Sequence, residues 1–175
     1  MIHHLNYEID KEKYRNIFYE NIQDGQWHHS VPHHYKDLFW YQLFIPDKLY
    51  WPNMFAEKGA RPHGGHLKPL IELVERDLNI HGMNNFPRFS YQFPNSRLVH
   101  HVDEDNMMSI NINLFDTTPI IHIEHKPYPY QCAFIDVGHI EHGVEPDPNP
   151  RLILKFALLH SYDEVYERLD KVGLL

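Results

Sequence analysis

Met108, Ile110, Ile112 and Leu114 alternate with Ser109, Asn111 and Asn113 along one unbroken run, MMSININL. Successive side chains of a strand point to opposite faces, so the run reads as a strand with one apolar and one polar face. A strand cannot bury its apolar face alone; it needs sheet neighbours and a covering layer. Further strand-like runs lie at about 88–93, 97–103, 119–125, 130–137 and 151–160, broken by Pro, Asn, Asp and Gly. The polar face has two readings, a solvated edge or the interior of a barrel that holds a polar small molecule.

The covering layer is written before and after the strands. Asp10 to Ile22 has Tyr14, Ile17, Phe18 and Ile22 at helical spacing, with Asp24-Gly25 as a stop. His66 to Leu78 has Pro69 in its first turn and an apolar stripe of Leu70, Leu73, Val74 and Leu78. Tyr162 to Val172 reads as a last helix, and Leu38 to Ile45 as one early strand. Helices followed by six or more antiparallel strands predict a mainly β, α+β domain, a sandwich or barrel buttressed by helices. Without linker or repeat, residues 1–175 are expected to form one domain. In it, 1–87 pack on and cover a core at 88–160, and 161–175 close it.

Composition excludes some partners. A formal net charge of -8 argues against non-specific nucleic-acid binding, which depends on neutralising phosphates. No run of about 18 apolar residues predicts a membrane span. The N-terminal stretch MIHHLNYEID lacks the apolar centre of a signal peptide. The single cysteine, Cys132, excludes an intramolecular disulfide framework, and a cytoplasmic location is expected. Histidine is the outlier, with 16 copies. His3, His4, His28, His29, His33 and His34 sit in polar stretches without metal-ligand spacing and read as surface residues.

Directly before the alternating strand stands LVHHVDED. His101 and Asp103 are two apart, so on a strand they share a face and can offer one metal ion an imidazole and a carboxylate. His142 can supply a second imidazole from a later strand. Two imidazoles and one carboxylate can hold Fe(II) and leave other coordination positions open. His142-Gly143-Val144 is followed by EPDPNP, a turn by its prolines, and then by Arg151 at the mouth of the apolar strand RLILKFALLH. An arginine there can grip a carboxylate with two parallel hydrogen bonds. Beside this motif, the polar face of 107–115 reads better as a barrel interior than as a solvated edge.

From about 88 to 160 the pattern resembles the Fe(II)/2-oxoglutarate-dependent oxygenases, and the prolyl-hydroxylase type in particular. The likeness rests on HxD, on the strand ending in Asn113-Leu114, and on HGVEPDPNPR. It implies a double-stranded β-helix, a jelly-roll or cupin-like barrel. It also implies that His101, Asp103 and His142 bind Fe(II) and that Arg151 binds the distal carboxylate of 2-oxoglutarate. Tyr91 and Asn113 are further candidates for that co-substrate. The implied reaction consumes O2 and 2-oxoglutarate, yields succinate and CO2, and hydroxylates an unactivated C–H bond.

Several assignments stay open on sequence alone. His100 adjoins His101 but should face the other way. His139 lies three residues before His142, and His142 is preferred because Val144 and Arg151 then take the family spacing. Lys155 shares a strand face with Arg151 and could anchor the co-substrate instead. His122 and Glu124 share a face, and His122 is a candidate substrate contact. Arg61 or Arg97 could bind a substrate carboxylate, which favours an amino acid or amino-acid-like small molecule; the loop 57–66 and the stretch Trp40–Trp51 could cover the barrel mouth. Alternatives are a peptidyl or prolyl hydroxylase acting on a protein, a cupin-type metal dioxygenase built on His101, His122 and His142 or His139, and a β-sandwich binding domain without chemistry. The oligomeric state is not readable.

Overall fold

A computed structural model describes residues 1–22, 26–29, 39–44, 64–103 and 107–175. In chain order these form β1 (Ile2–His4), α1 (Lys11–Glu20), β2 (Gln26–His29), β3 (Phe39–Phe44), a 3-10 turn at Gly64–Leu67 and α2 (Lys68–Asp77). The strands β4 (Asn85–Gln92), β5 (Leu98–His101), β6 (Met107–Asn113), β7 (Ile120–Ile123) and β8 (Lys126–Pro129) follow. Last come β9 (Cys132–Ile135), β10 (His142–Val144), β11 (Arg151–Leu159) and α3 (Tyr162–Lys171). The architecture is mainly β, with two antiparallel sheets. Seven strands run β1-β9-β6-β11-β4-β3-β2, and four run β5-β10-β7-β8.

The alternating run predicted from sequence is β6, and it lies between β9 and β11 in the large sheet. Both of its faces are buried, so the solvated-edge reading of Ser109, Asn111 and Asn113 does not hold. Its apolar residues Met108, Ile110 and Ile112 join Leu152, Leu154, Phe156 and Leu158 of β11, Phe89 of β4 and Phe134 of β9. The helices cover this face with Phe18, Ile71, Val74, Val165 and Leu169. Full burial of each such side chain stabilises by about 1.5–3 kcal/mol. The opposite face of the large sheet meets the small sheet through Ala133, Ile135, Ile121, Ile123 and Tyr130.

Local signals explain the helices. Asp10 caps α1 by accepting from the Lys13 backbone N–H at 3.0 Å, and Ser161 caps α3 by accepting from Glu164 N–H at 3.4 Å. Tyr14, Ile17 and Phe18 of α1 are buried as expected, whereas Ile22 lies beyond the helix end. In α2 the stripe turns by part of a step. Ile71, Val74 and Leu78 are buried and Leu73 is 51% exposed, because the true face also includes Leu67 of the preceding turn. Three short strands were not expected: β1, β2 and β8. No described helix is long and apolar enough to cross a membrane.

Candidate metal centre

β5 ends at His101, and β10 begins at His142 directly opposite it in the ladder. Two residues on, Asp103 is held by its backbone N–H to the Val137 carbonyl at 2.9 Å. His101 Nε2 lies 3.1 Å from Asp103 Oδ1, and His142 Nε2 lies 3.7 Å from Asp103 Oδ2. Metal–nitrogen bonds of ~2.0–2.1 Å put adjacent ligand atoms of an octahedron about 3 Å apart, so the three groups stand close to ligand geometry. All three can offer one ligand atom within 4.8 Å of the others.

The second ring nitrogens fix the tautomers. His101 Nδ1 is 2.7 Å from the Val99 carbonyl and His142 Nδ1 is 3.2 Å from the Ile140 carbonyl. A carbonyl only accepts, so Nδ1 carries the proton in both rings and Nε2 faces Asp103. The His101 Nε2–Asp103 contact then needs a positive charge between the two atoms, either a proton or a metal ion.

Burial sharpens the charges. His142 is 3% exposed, and desolvation pushes its imidazolium pKa down to about 4 against the opposing pull of Asp103. Burial also pushes Asp103 up, but the His101 hydrogen bond and the charges of Lys155 and the two histidines win and hold it well below the usual carboxylate range.

Beside this group, the inner face of the large sheet is cationic. Lys155 and Arg88 are ladder partners, and Arg151 stands two pleat repeats away on the same face of the same strand. Desolvation, then the neighbouring Arg88 charge, pushes Lys155 down to about 8. Arg151 is 9% exposed. It donates from Nη2 to the Tyr130 hydroxyl at 2.7 Å and from Nη1 to Gln92 Oε1 at 3.3 Å. Its Nε is buried without a partner, and no carboxylate pairs with it among the described residues. A buried guanidinium without a counter-charge is costly, and an anion would relieve it.

The other residues singled out by sequence are distributed differently. Tyr91 pairs with Leu152, so it lies on the helix-packed face, stacked on Phe18 at 6.1 Å. Strand alternation gives the inward position to Gln92 instead. Asn113 is buried, but its amide group is occupied by the carbonyls of Phe115 and Thr117 and by Gln131, where it pins the bend after β6. His122 pairs with Gly143 while Ile123 pairs with His142, so His122 points away from the triad, and a cluster of His101, His122 and His142 does not form. His139 is exposed and bonded to Asp136 at 2.7 Å. Arg97 is exposed ahead of β5. Arg61, the stretch 45–51 and most of the loop 57–66 lie outside the described residues. Sequence reasoning missed Tyr130 and Gln92. Gln92 was findable from its phase on β4 once paired with β11, whereas Tyr130 carries no local signal.

No family model matches the sequence, and no curated protein matches it. Among solved structures, the chain is similar to a crystal structure of a Pseudomonas putida prolyl-4-hydroxylase. The TM-score is 0.56 at 11% identity, over 91% of each chain. A viral collagen prolyl hydroxylase from Paramecium Bursaria Chlorella virus-1, solved with 2-oxoglutarate, gives a TM-score of 0.49 at 8% identity, over 90% of this chain and 93% of that one. A 2OG-Fe(II) oxygenase family oxidoreductase from Burkholderia pseudomallei gives 0.41 at 13% identity, over 78% and 74%. At this identity the first likeness establishes a shared fold.

Proposed function

We propose that this chain is an Fe(II)- and 2-oxoglutarate-dependent oxygenase with a double-stranded β-helix core, hydroxylating an unactivated C–H bond of an amino acid or amino-acid-like molecule. The observation that carries the reading is the pairing of two sites: an Asp103 carboxylate facing two Nε2 atoms, and a buried Arg151 without a carboxylate partner among the described residues. The donor set fits Fe(II), since two imidazoles and one carboxylate leave positions for a chelating co-substrate and O2. A fold shared with a prolyl-4-hydroxylase supports it.

His101, Asp103 and His142 would hold the iron. Bound there with 2-oxoglutarate and O2, it would supply the oxidising power for hydroxylation, with loss of CO2 from the co-substrate. The chain's own part is orientation. The Val99 and Ile140 carbonyls keep both Nε2 atoms unprotonated toward the metal. Arg151, steadied by Tyr130 and Gln92, would grip the distal carboxylate. Lys155 adds positive potential on the same face and draws a dianion inward. Ser109 and Asn111, hydrogen-bonded to each other at 2.8 Å, give that face a polar lining.

A second reading, a peptidyl prolyl substrate, is favoured by the named activity of the P. putida structure. Succinate release, followed across free amino acids and proline-containing peptides, separates the two. Release with a free amino acid supports the first reading, release with peptides alone supports the second, and no release above background with either class removes both.

A further inference from the structure

The small sheet has a second face, and it carries its own cluster. Each histidine of the inner group has a neighbour in sequence that points the other way: His100 beside His101 and Glu141 beside His142. His125, in the turn between β7 and β8, comes up beside them. Glu141 Oε2 lies 3.2 Å from His125 Nε2 and 4.0 Å from His100 Nδ1. The His100 and His125 rings are stacked, with centroids 4.3 Å apart at 19°. One ligand atom from each of the three residues falls within 4.8 Å of the others.

Surface ion pairs are common and weak, so the cluster needs more than proximity. Three further observations separate it from a chance pair. The His100 side chain is only 11% exposed, and its Nδ1 is buried without a hydrogen-bond partner. Glu124 and His125 both have left-handed backbones, φ 48 and 65, in a two-residue hairpin that ordinarily takes Asn-Gly. Side-chain-bearing residues are held in this conformation only under strain, and the turn sets His125 against Glu141. The Glu124 backbone N–H then ties the turn to the Glu141 carbonyl at 2.9 Å. Finally, a Cβ on Gly143 would meet His100 Cδ2 at 2.6 Å and the Leu98 carbonyl oxygen at 2.9 Å. Glycine at this position lets the His100 ring lie across β10.

We propose that His100, His125 and Glu141 form a second metal site, for a divalent cation such as Zn2+, on the outer face of the small sheet. Two imidazoles and a carboxylate suit borderline metals of this kind. Tetrahedral Zn2+ with bonds of ~2.0–2.1 Å sets its ligand atoms about 3.3 Å apart. The Glu141–His125 distance already matches. The Glu141–His100 distance closes by a rotamer adjustment of Glu141, which is 42% exposed. Glu145 Oε1, 3.6 Å from His100 Nε2, stands where an outer carboxylate orients a metal-bound imidazole. A water fills the open position. The site does not depend on the inner group's proposed role.

The test uses the full chain with Asp103→Ala, which disables the inner group. Zn2+ is titrated by calorimetry while the histidine ring resonances are followed by NMR. One equivalent of Zn2+ should still bind and shift the His100 and His125 rings. Adding His125→Ala, at a 73% exposed position, should weaken that binding at least tenfold with the far-UV circular dichroism unchanged; Glu141→Gln should do the same. Unshifted His100 and His125 rings, or Zn2+ affinity unchanged by His125→Ala, would overturn the proposal. In the otherwise wild-type chain, His125→Ala should remove one equivalent and leave any inner-site equivalent in place, so the two sites fail separately.

Discussion

His101 and His142 face one another across the β5–β10 ladder, ring centroids 4.5 Å apart, and each gives Nδ1 to the carbonyl two residues before it. The matched i−2 contacts make the two rings a pre-set pair. Among the described residues, each Nε2 is turned to the same carboxylate, Asp103. Metal affinity here should therefore depend on Asp103 more than on any residue around it.

Asp103→Ala should lower Fe(II) affinity at the inner group about 100-fold or more, since even residues that only orient a ligand are worth 10–100-fold. Far-UV circular dichroism should be unchanged, because Asp103 lies beyond the end of β5. Calorimetry under anaerobic conditions reads the affinity. A change under threefold would mean that the carboxylate is not a ligand.

Arg151→Ala should weaken 2-oxoglutarate by about 2–5 kcal/mol, the loss seen when one partner of a buried charge pair is removed. Metal affinity should be unaffected. Tyr130→Phe should cost less, about 1.5–3 kcal/mol as for one hydrogen bond to a charged group. Competition binding against the wild type measures both. Parallel loss of metal and co-substrate in either variant would indicate a folding defect instead.

The metal-free protein should lose stability as pH falls from about 6.5 to about 4. Burial lowers the His142 pKa to about 4 from its ordinary 6.5. Between those values the unfolded chain therefore binds the proton and the folded chain does not. Protons then favour unfolding, with a ceiling of about 3 kcal/mol across the window. Asp103 works in a lower range: its depressed pKa keeps its stabilisation intact until the pH falls below the ordinary carboxylate value. Urea midpoints at pH 7 and pH 4.5 for wild type and His142→Gln test the sign. The variant should lose less on acidification.

Gly143→Ala should destabilise by about 1–3 kcal/mol through overpacking against His100 and the Leu98 carbonyl. His100→Ala should rescue part of that loss and no more, because the clash with the Leu98 backbone remains. A double-mutant cycle of denaturation midpoints gives the coupling.

What could be read in the sequence follows the range of each interaction. The His101–Asp103 spacing is a two-residue relation on one strand, so it was legible at once. The alternation of β6 was legible too, although the burial of Ser109, Asn111 and Asn113 depends on its neighbours β9 and β11. Tyr91 was a candidate by its place in the family pattern, and only the pairing of β4 with β11, which sets it opposite Leu152, shows that it lies on the helix-packed face. Tyr130 reaches Arg151 across 21 residues, a contact that only folding makes. The outer cluster was hidden similarly: His125 meets Glu141 only through the pairing of β7 with β10. Leu73 and Ile71 both fit a helical stripe, and the preceding Leu67 decides which one is buried.

The central claim is that His101, Asp103, His142 and Arg151 act as one site for iron and 2-oxoglutarate. Anaerobic addition of 2-oxoglutarate to the Fe(II)-loaded protein tests it, with the visible metal-to-ligand charge-transfer band as readout. The band should appear in the wild type, be absent in Asp103→Ala, and require much higher 2-oxoglutarate in Arg151→Ala. No band in the wild type at saturating iron and co-substrate would contradict the account.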